Sequence, residues 1–354
     1  MKKTRQLLLV PALAGAILIL TAACTSGSGP SPDGTGTEGI AVDVLNGTIT
    51  VDKPIENIAF VVGGSRVYTS NVGYMDGAQA AADAAGVNID FFEPNFDPAL
   101  SYQMVQTALS SGKYDAIALQ AVDPSTCDLV AQDALTYQVL VAGFVNEMCA
   151  VPPGPDDDLL RAPGSVVYVG GQNTFNDHVE WLKQTLKENP GPQKAIVVLG
   201  PDGNPGVVNF QAAFETVIKE NPDLEVVAWV YTDYTTPTAY AKMGPALQAN
   251  PDATIVLSHY VDLTVGAAQA MEDLGISTPL WETGGGSQVS VDMMKAGKLL
   301  GTWPLLPYNS GFAAVNALLD AAAGKTVPPF LSGNGDVTLS LVTMDNLADF
   351  TPQW

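Results

Sequence analysis

From residue 57 onward, short runs of consecutive apolar residues alternate with longer stretches whose apolar positions recur every three or four residues. The first pattern marks strands buried on both faces, and the second marks helices with one apolar side. Asn57–Gly63 (NIAFVVG) is the first strand expected, followed by a helix with a small-residue face over Gly73–Ala85. Strands over Asn88–Glu93, Tyr114–Ala121, Gln138–Val145 and Val166–Gly170 then alternate with helices over Ala99–Ser111 and Pro124–Thr136, and a Pro-rich interruption, Cys149–Gly164, precedes the last of these strands. The alternation restarts with helices over Thr174–Glu188, Val207–Glu220, Pro237–Ala249 and Leu263–Leu274, separated by strands over Ala195–Leu199, Glu225–Tyr231, Thr254–Ser258 and Pro279–Glu282. Asn189-Pro190 and Asn221-Pro222 stop the first two of these helices. Helix, strand, helix and strand follow at Val289–Ala296, Leu299–Pro304, Ser310–Ala323 and Val337–Val342, the last two placed to cross between lobes. The pattern predicts an α/β chain with a doubly wound parallel sheet in each of two lobes.

Ahead of this body, Lys2, Lys3 and Arg5 precede an apolar run from Leu7 to Leu20, and Thr21-Ala22-Ala23-Cys24 follows it. The run is about 14 residues long, where a membrane-spanning helix needs roughly 20. Small residues before a cysteine admit a signal peptidase. The pattern resembles the bacterial lipobox, whose cysteine thiol takes a diacylglycerol and becomes the new N-terminus. Residues 1–23 are therefore expected to be a lipoprotein signal peptide and Cys24 the lipidation site, with Thr21 standing where the commonest lipoboxes carry Leu. An ordinary secretory leader or an uncleaved anchor is the alternative. Thr25–Gly39 has almost no apolar side chain with which to offset the entropy of ordering. Residues 24–55 are thus expected to be a flexible tether and the segment leading into the body, the tether reaching on the order of 50 Å at about 3.3 Å per residue.

About 300 residues remain, typical of two domains of roughly 100–150 residues each. Lys plus Arg number 15 against 37 Asp plus Glu, and removing Lys2, Lys3 and Arg5 takes the formal charge from −22 to −25. So acidic a surface makes nucleic acid and anionic headgroups poor partners, and plain solubility accounts for it. With Cys24 lipidated, Cys127 and Cys149 are left as one pair in an oxidising compartment. A disulfide between them would contribute roughly 3 kcal/mol on a chain-entropy basis; two buried free thiols are the alternative. The only histidines, His178 and His259, sit at no ligand spacing from a cysteine, so neither a metal nor a cofactor is expected. Asp156-Asp157-Asp158 lacks the glycine turn and glutamate of a known calcium loop and reads as a solvated loop.

Four stretches, IAFVV…GYMDGAQAAADAAGV at 58–87, KYDAIALQAVDP at 113–124, ANPDATIVLSHYVDLTVGAAQAMEDLGI at 249–276 and LVTMDN at 341–346, carry a resemblance by their order and spacing. Over about residues 56–348 the chain resembles the type I periplasmic-binding-protein superfamily, the sugar-type, ribose-binding-protein-like receptors of ABC importers. The resemblance implies two Rossmann-like lobes joined by a three-segment hinge, with the ligand held in the cleft between them. It places the crossings near Gly171–Thr174, Leu305–Tyr308 and Ser332–Asp336. The N-terminal lobe would comprise 56–172 and 306–333, and the C-terminal lobe 173–305 and 334–354.

Ligands of open parallel sheets bind beyond the carboxyl ends of the strands, near helix N-termini. Ser65, Arg66 and Tyr68 follow the first strand, and the resemblance gives Tyr68 the part of an aromatic stacked on a sugar face. Asp123 follows the third strand as a double acceptor, or else only caps the helix at Pro124. Phe144 and Asn146 follow the fourth strand, where the family often has an Asp-Arg pair that this chain lacks. In the second lobe Asn204 and Tyr234 occupy loop positions, Tyr234 where the family often has an aromatic. His259 and Tyr260 replace the family's Asn-Asp, and Glu282 is a carboxylate shifted from the family's aspartate, aligned here with Gly285. Trp281 and Glu282 read equally as the end of a strand. GPDGNPG at 200–206 lacks the Lys-Ser/Thr ending of a phosphate-binding loop and reads as a strand-to-helix turn.

Of the 12 Lys and Arg residues outside the leader, only Arg66 sits at a strand's carboxyl end. Anionic ligands call for fixed cations, so a neutral or cationic solute is favoured, and aromatics with a few acceptors suit a sugar, polyol or nucleoside. No Gly-x-Ser-x-Gly elbow, His-Glu-x-x-His or credible Ser, His and Asp set occurs, so an enzyme is not expected. The expected role is an extracytoplasmic lipoprotein held to the membrane at Cys24 that presents its solute to an ABC permease. A sensor for a membrane kinase or chemoreceptor and a purine-nucleoside receptor are the alternatives.

Overall fold

Residues 39–170, 173–335 and 340–354 are described by the computed structural model of the chain. The signal peptide, Cys24 and most of the tether lie outside the described residues, as do Gly171 and Gln172 at the first expected crossing and Asp336 at the third. Residues 40–51, expected only as the segment leading from the tether into the body, form a β-hairpin, β1 (Ile40–Val44) and β2 (Gly47–Val51). Its two-residue turn places Asn46 at φ 69°, and Asn-Gly between alternating apolar residues is a strong hairpin signal. Val42, Val44 and Ile49 enter the core of the first lobe.

The first lobe continues with β3 (Asn57–Val61), α1 (Thr69–Ala85), β4 (Asn88–Phe92), α2 (Pro98–Ser110), β5 (Ala116–Leu119), α3 (Cys127–Tyr137), β6 (Leu140–Phe144) and β7 (Val167–Gly170). The second follows with α4 (Phe175–Glu188), β8 (Gln193–Leu199), α5 (Pro205–Glu220), β9 (Leu224–Tyr231), α6 (Thr236–Ala249), β10 (Ile255–Ser258), α7 (Val261–Leu274), β11 (Leu280–Gly285), α8 (Gln288–Lys295) and β12 (Gly301–Pro304). The chain then returns through α9 (Pro307–Ala322) and β13 (Phe330–Ser332) to the first lobe, and ends with β14 (Val342–Thr343) in the second.

Strand order is β13-β7-β6-β5-β3-β4 in the first sheet, parallel throughout, and β14-β12-β11-β10-β8-β9 in the second. β14 runs antiparallel to β12, a departure from the all-parallel expectation. It arrives from the other sheet, so no crossover helix constrains its direction. Each sheet is covered on both faces. Along β8, Ala195, Val197 and Leu199 join Trp181, Phe210 and Phe214, while Ile196 and Val198 join Met243, Leu263 and Ala267 on the opposite side.

The small-residue face of α1 meets α9. A Cβ at Gly77 would strike the Tyr308 carbonyl, and one at Gly311 the Tyr74 carbonyl, so the two backbones touch where only hydrogens intervene. Gly77→Val is expected to destabilise the protein by about 3 kcal/mol through overpacking against main chain that cannot retreat. A urea midpoint equal to wild type would show that α9 moves aside. Cys127, at the start of α3, and Cys149, in the loop after β6, form a disulfide with their Cα atoms 4.8 Å apart. The bond pins the loop that carries Asn146 and Glu147.

Candidate ligand-binding cleft

The carboxyl ends of the two sheets face a shared cavity. It offers about 80 Å³ to the centres of water-sized atoms, on a scale where one water takes roughly 10–15 Å³. One small molecule fits; a chain of sugar rings does not. Tyr68 immediately precedes α1, and Ser70, Asn71 and Tyr74 line the cavity from the helix's first turns. The helix starts four residues earlier than its apolar pattern indicates, so Ser70 and Asn71 escaped the sequence reading, and Tyr74 was read only as a helix residue. The loop after β4 contributes Phe96, the end of β5 Gln120, and the loop after β6 Val145 and Asn146. The second lobe and hinge supply Asn173, Asn204, Tyr234, His259, Tyr260, Gly284 and Leu305.

Of the sequence candidates, Tyr68, Asn146, Asn204, Tyr234, His259 and Tyr260 meet at the cavity, and Ser65, Arg66, Asp123, Phe144 and Glu282 do not. Ser65 ties two loops together through Asn95, Oγ to Oδ1 at 3.1 Å. Arg66 turns outward, its Nη1 pairing with Glu93 Oε1 at 2.6 Å on the surface. Asp123 accepts from the N–H and Oγ of Ser125, at 3.2 and 2.6 Å, and is spent as a cap. Phe144 lies wholly in the core against Phe60, with ring centroids 4.8 Å apart. Glu282 points into the interior of the second sheet, where Thr302 Oγ1 donates to its Oε1 at 2.6 Å, and burial pushes its carboxyl up. Gln120 obeys the same end-of-strand rule that selected Asp123. Asn173 carried no signal, since only the hinge brings it to the site.

A chain of neutral hydrogen bonds spans the cleft. Asn146 Nδ2 donates to the Ala121 carbonyl at 3.0 Å, and Asn173 Nδ2 donates to Asn146 Oδ1 at 3.1 Å. Asn173 Oδ1 lies 3.3 Å from His259 Nε2, and His259 Nδ1 lies 3.4 Å from the Tyr234 hydroxyl. A carbonyl can only accept, so the Ala121 end fixes every amide and the imidazole tautomer: Nε2 carries the hydrogen and Nδ1 accepts from Tyr234. Asn204 Oδ1, 3.5 Å from that hydroxyl, is a second and weaker claimant. His259 is 3% exposed and stacks on Phe210, with ring centroids 4.3 Å apart. Burial holds its pKa down at about 3, so the relay stays neutral at ordinary pH.

Further contacts that join the lobes include Ser70 Oγ with the Tyr260 hydroxyl at 2.8 Å, Asn209 Nδ2 donating to Glu147 Oε1 at 3.1 Å, and Phe96 facing Tyr234 with ring centroids 6.2 Å apart. Burial raises the Glu147 carboxyl, against its own N–H and the Asn209 amide. Backbone strain concentrates here as well. Phe96, Val145 and Tyr234 have φ of 59°, 62° and 64°, and the other non-glycine residues of positive φ among those described are Asn46, Asn95 and Gln138. The two aromatic residues and the one β-branched residue of that group all line the cavity. Each such conformation costs about 1–3 kcal/mol and is held only where its surroundings enforce it. At Phe96 they do so through main-chain bonds, Phe96 N to Gly63 O at 2.7 Å and Asn95 N to Gly64 O at 3.1 Å.

Residues 67–326, well over half the chain, match the periplasmic binding protein domain. The chain belongs to that family. The periplasmic binding protein fold extends to solved structures of low sequence identity. One is an ABC transporter solute binding protein from Agrobacterium vitis with bound D-fucose, 22% identical, with TM-score 0.71 over 82% of this chain and 96% of the other. Another is a solute binding protein from Bacillus halodurans with bound myo-inositol, 17% identical, with TM-score 0.71 over 84% and 97%. A third is the periplasmic component of the arabinose ABC transporter from a Shewanella species, bound to L-arabinofuranose, 18% identical, with TM-score 0.71 over 83% and 93%.

Proposed function

We propose that this periplasmic binding protein is an extracytoplasmic lipoprotein, anchored at Cys24, that encloses one small neutral hydroxylated solute and presents it to an ABC permease. The observation that carries the reading is the lining of the cavity, which among the described residues contains aromatic rings, amides, hydroxyls and an imidazole but no Asp, Glu, Lys or Arg. An ionised ligand would lose its hydration there without a counter-charge, whereas a sugar or polyol can lay its apolar face on a ring and hydrogen-bond at its edges. The neutral sugars and the cyclitol bound by similar proteins agree with that chemistry. Closure supplies the signal, because a ligand touching both lobes favours the closed state by its differential affinity.

A thermal-shift screen of the unit Glu38–Trp354 against sugars, polyols, nucleosides, amino acids and anions tests the reading. A ligand at 100 times its dissociation constant adds about 2.7 kcal/mol, a shift of a few degrees at this size. Shifts confined to neutral hydroxylated compounds support it, and shifts with amino acids or anions overturn it. In cells, Cys24→Ser is expected to release the protein from the membrane fraction. Retention of that variant at the membrane would rule out the lipid anchor.

A further inference from the structure

The chain passes between the lobes after β7, after β12 and after β13. The segment that follows β14 links the lobes again through its side chains. Phe350 packs on the core of the second lobe, and Trp354 on the core of the first. Between them Gln353 engages the start of α9: its Nε2 donates to Asn309 Oδ1 at 3.0 Å, and its Oε1 receives the Asn309 N–H at 3.4 Å. Asn309 Nδ2 donates to the Asn334 carbonyl at 2.8 Å, which can only accept, so both amides have one consistent orientation. Asn309 stands in the first turn of α9, where N–H groups lack a partner within the helix, and Leu306 at the cap position has no side-chain oxygen to offer. Gln353 takes that part from a distant point of the chain.

Trp354 acts on the side of the cavity, although it does not line it. Its indole stacks on the Tyr260 ring, with centroids 5.9 Å apart and planes 20° from parallel, and its Nε1 donates to the Leu305 carbonyl at 3.2 Å. Its main-chain oxygen receives the N–H of Gln288, at the start of α8, at 2.8 Å. Leu305 follows β12, where the chain leaves the second lobe, and both Leu305 and Tyr260 line the cavity. The Tyr260 hydroxyl in turn meets Ser70 Oγ of the first lobe at 2.8 Å. The indole therefore supports from behind a ring that belongs to one lobe and reaches the other.

We propose that Gln353 and Trp354 form a further tie across the hinge: Trp354 is a positioning residue for the Tyr260 ring, and the tie holds the lobes together before a solute arrives. The inference rests on the solute-receptor reading and deepens it. A receptor whose binding-competent arrangement is already populated loses less affinity to closure. Two side chains outside the cavity thus set part of the affinity inside it.

Small-angle X-ray scattering of the purified protein without solute tests the tie, and calorimetry with D-fucose, myo-inositol and L-arabinose tests its bearing on affinity. Trp354→Ala is expected to enlarge the radius of gyration and to weaken whichever of these solutes the wild type binds by about tenfold, the combined value of one ring stacking and one hydrogen bond. Trp354→Phe keeps the stacking and deletes the N–H, so its loss should be only about threefold. Gln353→Ala, which leaves the indole in place, is a second variant should the first fail to fold, and it too should enlarge the radius. A residue serving only the fold would lower the urea midpoint and leave the radius and affinity of the folded protein where they were. A radius equal to the wild type's in folded variants therefore overturns the inference, and so does unchanged affinity in Trp354→Ala; in both cases the receptor reading survives. Binding of charged solutes alone removes the receptor reading, and the scattering comparison then still decides whether the tie holds the lobes.

Discussion

Replacing Tyr234 by alanine is expected to weaken solute binding about 30-fold, near 2 kcal/mol, while the protein stays folded. The ring closes one wall of the cavity, faces Phe96 across the cleft and contacts Tyr260 edge-on, with ring centroids 5.8 Å apart. The hydroxyl ends the relay that begins at the Ala121 carbonyl. Tyr234→Phe separates the two contributions, since it keeps the wall and deletes the hydroxyl. It should weaken binding only about fivefold, the value of one neutral hydrogen bond. Titration calorimetry with the strongest solute from the screen decides the matter. Unchanged affinity in the alanine variant would mean that the solute binds elsewhere.

The second large effect concerns acid. In the folded protein His259 takes up a proton only near pH 3, whereas in the unfolded chain it does so near 6.5. Between those values the unfolded state binds more protons, so the stability contributed by the neutral imidazole is complete above about pH 6.5 and is lost as pH falls toward 3. At about 1.4 kcal/mol per pH unit, the step from pH 6.5 to 4.5 removes roughly 3 kcal/mol. His178, buried beside His259, is lowered by burial first and by its neighbour second, and acts in the same direction. The raised carboxyls of Glu147 and Glu282 act oppositely: their contribution is fullest at low pH and is lost as pH rises through their folded values. Comparing the wild type with His259→Gln by urea unfolding at pH 7.0 and 4.5 cancels those common groups. The wild type should lose about 3 kcal/mol more than the variant. Equal losses would show that water reaches the imidazole.

Much of the architecture was legible because strands buried on both faces and amphipathic helices have different periods. Asn-Pro stops then bounded two of the helices, at Asn189 and Asn221, and the structure closes two others on left-handed glycines, Gly86 and Gly275. The hairpin at 40–51 was not read although Asn46-Gly47 announces it, because the segment was taken only as the lead from the tether into the body. The three-residue strand β13 is too short to carry a period. At the site, sequence order located the loops but not the side-chain directions. Arg66 and Tyr68 are two residues apart, yet Glu93 draws the first to the surface and the second faces the cavity. Asp123 and Gln120 stand at the end of one strand, and the local cap claims the more polar of the two. Asn173 matters only because two lobes meet, which no local pattern encodes.

The absence of ionised groups from the cavity walls, among the described residues, also bears on where such a receptor can work. A protein outside the cell membrane has no cytoplasm to buffer the salt and acidity of its surroundings. Recognition built from fixed amides, phenols and one imidazole too deeply buried to titrate has no counterions to exchange and no proton to gain within that range. Its affinity is set by shape and by the direction of each N–H and O–H. Occupancy of such a cavity follows solute concentration with little dependence on salt.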